Sequence, residues 1–158
     1  ESNTFVVEPY CVKLFKQRWY VAARSPYYNE VMIYSLDRLL HLEVLANEQF
    51  KMPDSFNPTE FFKEYYGVII DSDFDVEKVK LKVSASQANY LRSLPLHHSQ
   101  QEIQTTDEYS IFELRIRPTF DFYQEILHNG EDMEVLEPLW LRKEIARKIE
   151  KMWNKYKS

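Results

Sequence analysis

The order of hydrophobic periods between Lys78 and Tyr156 restricts the fold more than any other feature of this 158-residue chain. Lys78 to Val83 reads as a strand. Ser84 or Ser86 can then cap a helix from Gln87 to Leu94, which Pro95 follows. Gln100–Gln104 and Tyr109–Arg117 read as strands around the turn residues Thr105, Thr106 and Asp107. Thr119 to Leu127 reads as a helix, stopped by Asn129-Gly130 in a left-handed C-cap. A short strand from Glu134 to Leu136 precedes a last amphipathic helix from Leu139 to Tyr156. In it Ile145, Ile149, Met152 and Tyr156 recur at helical spacing. The resulting order, β-α-β-β-α-β-α, matches a ferredoxin-like fold with one added helix.

The first half reads as several short strands with tight turns, the pattern of a small barrel or sandwich. Val6 to Phe15 alternates and is rich in β-formers, and Lys16-Gln17 is a hairpin turn. Arg18–Arg24 and Val31–Asp37 are the next strands, joined by Ser25-Pro26-Tyr27-Tyr28-Asn29. Leu39–Leu45 is expected as a fourth, with Leu40, Leu42 and Val44 on one side and His41, Glu43 and Leu45 on the other. Asn57 or Thr59 can cap a helix running through Tyr66, with Gly67 as its stop, and Asp71 to Asp75 reads as a linker. The expected fold class is therefore α+β, with domains over 1–71 and 76–158.

Within the first half, the stretch from Pro9 to Asn29 has four basic residues (Lys13, Lys16, Arg18, Arg24) and no acidic one. It also carries Tyr10, Phe15, Trp19, Tyr20, Tyr27 and Tyr28. Basic groups interleaved with aromatic ones suit a phosphate-bearing partner whose bases can stack. If 18–24 is a strand, Arg18, Tyr20, Ala22 and Arg24 share one face and Trp19, Val21 and Ala23 the other. Trp19 is then expected in the core, with the two guanidinium groups outside.

Three pieces of this region carry a resemblance: Glu8-Pro9-Tyr10, Arg18-Trp19-Tyr20-Val21, and Ile33-Tyr34-Ser35-Leu36-Asp37-Arg38-Leu39. In order and spacing they resemble the WYL domain, with Val21 at the third signature position. Val79–Val83, Leu96-His97-His98-Ser99-Gln100, and Asn129-Gly130 through Glu137-Pro138 resemble the WCX extension that often follows it. The resemblance implies a small Sm/SH3-like β-barrel, then the ferredoxin-like extension. It implies a ligand-sensing regulatory region that binds a nucleic acid or a nucleotide-like anion. That ligand would modulate DNA binding by an N-terminal helix-turn-helix domain absent from this sequence. Many family members carry Arg where Met32 stands here, so one expected phosphate contact is missing.

The expected ligand contacts are Arg18, Tyr20, Arg24, Tyr34, Arg38 and His41. Arg24 and Arg38 lead, because a guanidinium fork grips phosphate bidentately. The plain alternative is an arginine paired with a nearby acid such as Asp37, or left in solvent. Tyr20 and Tyr34 either stack on a base or are ordinary sheet aromatics, and His41 either extends the patch or is merely exposed. His97-His98 makes a poor metal site, since neighbours on a strand point to opposite faces and no spaced Cys or His joins them. Asp71-Ser72-Asp73-Phe74-Asp75 imitates the start of a calcium loop but has Val76 and Lys82 where glycine and an acid are needed. The basic side of the last helix, Arg142 to Lys157, reads either as a contact surface or as a solvated face.

Composition narrows the alternatives. The net charge of −5 argues against indiscriminate nucleic-acid binding, so any such site is a local patch. Two glycines cannot build a phosphate-cradling loop, and no hydrolase or metalloprotease motif occurs. An enzyme is not expected, nor is a cofactor. Cys11, the single cysteine, is compatible with a reducing compartment and reads as a small apolar strand residue. No apolar run approaches the ~20 residues that span a bilayer, so a cytoplasmic protein without membrane contact is expected. The absence of an initiator Met reads as a fragment of a longer chain. Expected partners are an anionic ligand, a second copy in a homodimer, and DNA through the missing domain. The alternative is a dimerisation or protein-interaction module with no nucleic-acid ligand.

Overall fold

Lys16 and Gln17 take left-handed backbone angles (φ 46° and 65°), the geometry of a two-residue hairpin turn whose twist suits its flanking strands. They join β1 (Glu8–Phe15) to β2 (Arg18–Ser25), and β3 (Glu30–Ser35) pairs antiparallel with the other edge of β2. The computed structural model describes residues 4–157. It divides the chain into two units, Glu1–Lys63 with Gly67–Ile70, and Glu64–Tyr66 with Asp71–Ser158.

The first unit corrects the expected barrel. Its sheet is an open meander in the order β1-β2-β3, and no closed barrel forms among the described residues. The expected fourth strand, Leu39–Leu45, is irregular. After β3 the chain enters a 3-10 turn, Leu36–Arg38, closed by the Leu39 N–H donating to the Leu36 carbonyl (3.3 Å). That turn takes the backbone off the sheet edge. Leu40, Leu42 and Val44 accordingly stay exposed, so their alternation has no buried face to serve.

One face of this sheet is covered. A bulge between Pro9 and Cys11 releases Tyr10, whose ring meets Phe56 at 4.8 Å and Phe50 at 6.2 Å. Phe61 packs on Phe56 (5.4 Å) and Phe62 (4.9 Å). Lys13 lies 4.0 Å over the Phe62 ring and donates to the Gly67 carbonyl at 2.9 Å. The helix α1 (Pro58–Phe62) starts where Asn57 Oδ1 accepts from the N–H groups of Thr59 and Glu60. It stops at Phe62 and not at Tyr66. Tyr65 instead forms a β-bridge to Arg117, and the Arg117 N–H donates to the Glu64 carbonyl (2.7 Å). The extended backbone that this bridge needs at Tyr65 cannot continue the helix.

The second unit follows the expected order. β4 (Glu77–Ser84), α2 (Ala85–Ser93), β5 (Gln101–Thr105), β6 (Tyr109–Ile116), α3 (Phe120–His128), β7 (Met133–Glu137) and α4 (Leu139–Tyr156) succeed one another. The sheet runs β5-β6-β4-β7 with every pair antiparallel, the ferredoxin-like arrangement. Ser84 is the cap of α2, accepting from the Gln87 N–H, and Gly130 takes the left-handed φ of +55° that ends α3. Val79, Leu81 and Val83 of β4 and Phe112, Leu114 and Ile116 of β6 point into one core with Leu91, Phe122, Ile126, Val135, Leu141 and Ile145. The opposite face of β4 is a lysine row whose charges are answered across the strands. Lys78 pairs with Glu113 (3.4 Å), Lys80 with Glu137 (3.1 Å), and Lys82 sits 4.4 Å over the Tyr109 ring. In α4 the apolar stripe outruns its core: Leu141 and Ile145 are buried, while Ile149, Met152, Trp153 and Tyr156 are exposed.

A charged network ties α2 to the edge strand β5. Arg92 donates to both Glu102 carboxylate oxygens (3.0 and 2.6 Å) and to Asn89 and Ser110, and Thr105 Oγ1 also donates to Glu102. The Arg92 hydrogen bonds hold the Glu102 carboxyl down to about 2. A carboxyl depressed on folding stabilises the fold fully above its ordinary value near 4.5 and loses that contribution as pH falls towards 2. Exposure to solvent keeps the effect small. Glu102→Gln should therefore flatten the fall in denaturant stability between these two pH values. An unchanged slope would mean the network does not contribute.

Candidate functional site

Register decides which side chains of the first sheet can act together, because residues directly opposite in an antiparallel pair share a face. Tyr20 lies opposite Lys13 and Ser35, Arg18 opposite Phe15, and Arg24 opposite Glu8 and Val31. These residues belong to the face that carries Cys11 and Ala22. Tyr34 lies opposite Val21, in a row that continues to Val12, so it stands on the other face. The six expected contacts therefore do not line one groove.

Arg18 and Arg24 are also far apart. They are six strand positions apart, roughly 20 Å at about 3.3 Å per residue, too far for one phosphate. Arg24 is the less available of the two. Its guanidinium is paired with Glu8 (3.4 Å), with both side chains largely buried, and its Nε is buried without a hydrogen-bond partner among the described residues. It reads first as a residue that holds β1 to β2.

The other end of the sheet is different. The β1–β2 turn, the start of β2 and the end of β3 meet there, bringing Lys16, Arg18 and the 3-10 turn with Arg38 to one corner. Arg18 is more than half exposed and pairs with Asp37 at 3.2 Å, and the Ser35 hydroxyl donates to the same Asp37 carboxylate. That hydrogen bond, with Arg18 and Arg38 nearby, keeps Asp37 ionised below its usual range. Arg38 is exposed and forms no ion pair within 4 Å among the described residues. Tyr20 is half-buried on the same face. His41 lies beyond the turn, exposed, in the irregular segment. The corner can offer an anion two guanidinium groups, one already oriented by a carboxylate.

Sequence reasoning placed Trp19 inside, and the structure reverses this. Trp19 is 52% exposed, and Leu14 opposite it and Val12 in the next row of β1 are also open to solvent. The aromatic residues between Phe50 and Phe62 cover the opposite face, and alternation alone cannot say which of two unlike faces is inside. Tyr34 Oη donates to Met32 Sδ (3.6 Å), and the Phe5 ring lies 5.3 Å from the Tyr34 ring. Partial burial pushes the Tyr34 hydroxyl up, and the neighbouring Tyr28 adds to this.

The histidine pair also departs from its strand reading. His97 and His98 occupy a turn, with rings 4.1 Å apart, and His97 Nδ1 lies 2.7 Å from Ser99 Oγ. Ser99 in turn exchanges hydrogen bonds with the Arg115 backbone, so the motif fastens this turn to β6. Among the described residues no group of three or more His, Cys, Asp or Glu side chains could hold a metal ion. No helix among them is long and apolar enough to cross a membrane.

An open β-meander with a basic corner, followed by a ferredoxin-like unit and a long terminal helix, defines a two-unit α+β class of chain. The WCX domain model matches residues 75–153 and the WYL domain model residues 1–44. The chain belongs to the WYL/WCX family. Among solved structures it is similar to proteasome accessory factor B/C (PafBC) of Arthrobacter aurescens, with 19% identity and a TM-score of 0.39. The similarity covers 91% of this chain and 21% of that one. No curated protein matches the sequence.

Proposed function

We propose that this chain is the regulatory region of a WYL-type transcriptional regulator, sensing a nucleic acid or nucleotide-like anion at the corner formed by Arg18 and Arg38. The observation that carries this reading is the gathering of Lys16, Arg18 and Arg38 at one end of the first sheet in a chain of net charge −5. Local cationic concentration in an acidic protein suits a chosen anion and not polyanions at large. The ligand acts by population shift: it favours one arrangement of a homodimer and so changes the spacing of helix-turn-helix domains carried elsewhere in the full-length protein. On this reading the protein is cytoplasmic, is not an enzyme and needs no cofactor.

The test is fluorescence anisotropy of labelled single-stranded DNA and RNA at two salt concentrations, with wild type and an Arg18→Ala/Arg38→Ala variant. For single strands each phosphate contact contributes about 0.7 to the log–log salt slope, so the variant should bind at least about tenfold more weakly with a slope reduced by about 1.4. Equal binding by both proteins would remove the site from this corner.

A second reading, a protein-interaction module, is favoured by the exposed stripe of Ile149, Met152, Trp153 and Tyr156 on α4. A tight dimer without affinity for any oligonucleotide would support it.

A further inference from the structure

The chain passes from one unit to the other and back around a short stretch. It leaves the first unit after Lys63, contributes Glu64–Tyr66 to the second, and returns to the first for Gly67–Ile70. One ammonium holds both ends of this excursion. Lys13 Nζ lies 4.0 Å over the Phe62 ring and donates to the Gly67 carbonyl at 2.9 Å. Lys13 itself is half-buried on β1, directly opposite Tyr20. The ferredoxin-like unit holds the middle. The Arg117 N–H donates to the Glu64 carbonyl and Arg117 Nε to the Glu64 carboxylate, both at 2.7 Å. Tyr66 Oη donates to Glu125 Oε2 at 2.6 Å, and its ring meets the fully buried Phe122 edge-on at 5.8 Å. These anchors are a single β-bridge, a few hydrogen bonds to charged groups and one ring, and the Glu64 side chain is 45% exposed. A segment that buries so little apolar surface opens at a lower free energy than the β4–β6 core.

We propose that Glu64–Tyr66 is a coupling strap with a docked and a released state, and that Lys13 is the positioning residue through which the first sheet sets the balance between them. With the ammonium in place, Phe62 and Gly67 are held together, and the residues between them are presented as the loop that Arg117 and Glu125 accept. Without it the ends part, and docking has to order them at an entropic cost. Whatever moves β1 at Lys13 therefore changes docking in the second unit, and the converse holds by linkage. The device works in the same way whichever ligand the first sheet takes.

The test is amide hydrogen exchange of the full chain, without ligand, read residue by residue by NMR. The reporter is the Arg117 N–H, whose acceptor lies on the strap. Lys13→Met keeps the apolar stem over Phe62 and removes the ammonium. Loss of a charged hydrogen bond that favours the docked state should raise the released population, and with it the Arg117 exchange rate, about tenfold. Tyr66→Phe keeps the ring against Phe122 and removes the donation to Glu125, and it should accelerate the same amide from the second unit's own side. In both variants the amides of Leu81 and Phe112, paired in the core, should stay within about twofold of wild type. An Arg117 rate unchanged in Lys13→Met but raised in Tyr66→Phe would overturn the proposal, because docking would then be a private matter of the second unit. A uniform rise that includes Leu81 and Phe112 would also overturn it, since the strap would have no released state short of global unfolding. Should Lys13→Met unfold the first unit, the same amide still decides. Arg117 exposed to exchange with Leu81 protected supports the strap, and Arg117 still protected overturns it.

Discussion

Phe112→Ala should destabilise the second unit by about 3–5 kcal/mol, the cost of removing a fully buried phenyl ring and leaving its cavity. Phe112 is 1% exposed at the middle of β6, a central strand of the sheet, opposite Leu81 on β4. Its neighbours come from strands and helices that cannot all move inward at once, so little of the cavity can collapse. Domain stabilities of this kind are about 5–15 kcal/mol in total, so a large share of the margin is lost. Urea titration followed by circular dichroism should show a lower midpoint with an unchanged slope, since the surface exposed on unfolding stays the same. A loss under about 1 kcal/mol would mean that the β4–β6 core is loosely packed.

The second large effect concerns Arg117, which fastens the segment Glu64–Tyr66 to the ferredoxin-like unit. Its Nε donates to Glu64 Oε2 at 2.7 Å, one terminal nitrogen donates to the Phe74 carbonyl, and the guanidinium lies 5.9 Å from the Tyr65 ring centroid. Arg117→Ala removes these donors together and leaves a carboxylate and a carbonyl partly buried without them. The expected cost is about 2 kcal/mol, between one and two lost hydrogen bonds to charged groups. Arg117→Lys should recover less than half of it, because one ammonium cannot span both acceptors as the planar fork does. Full rescue by lysine would show that charge alone matters. Hydrogen exchange should reveal faster opening at residues 64–66 in both variants, ahead of any change in the β4–β6 core.

The first sheet shows how far sequence reasoning reached in the candidate site. The alternation in 18–24 correctly divides Arg18, Tyr20 and Arg24 from Trp19, Val21 and Ala23. It gave no means of knowing that Tyr34 shares the Trp19 side, because that depends on how β3 is registered against β2. The ion pair of Arg24 with Glu8 joins cross-strand neighbours at the open end of the β1–β2 hairpin and follows from the same register. The exposure of Trp19 could have been foreseen only by asking what else must be buried. Phe50, Phe56, Phe61 and Phe62 form an aromatic set that needs a surface, and it takes the Lys13 side of the sheet.

What the sequence determined by itself is what depends on a few neighbouring residues. The Lys16-Gln17 hairpin, the Ser84 cap, the Gly130 stop and the β-α-β-β-α-β-α order of the second unit are written in local turn chemistry and periodicity. The tertiary structure alone decided the rest. It ended α1 at Phe62 because Tyr65 pairs with Arg117, and it left Leu39–Leu45 without a strand partner. It also left the Leu14 and Trp19 end of one face of the first sheet open to solvent, while Ala23 on that face is buried. Alternation states that the two faces differ. Which of them is inside depends on the apolar surface that distant parts of the chain bring to cover it.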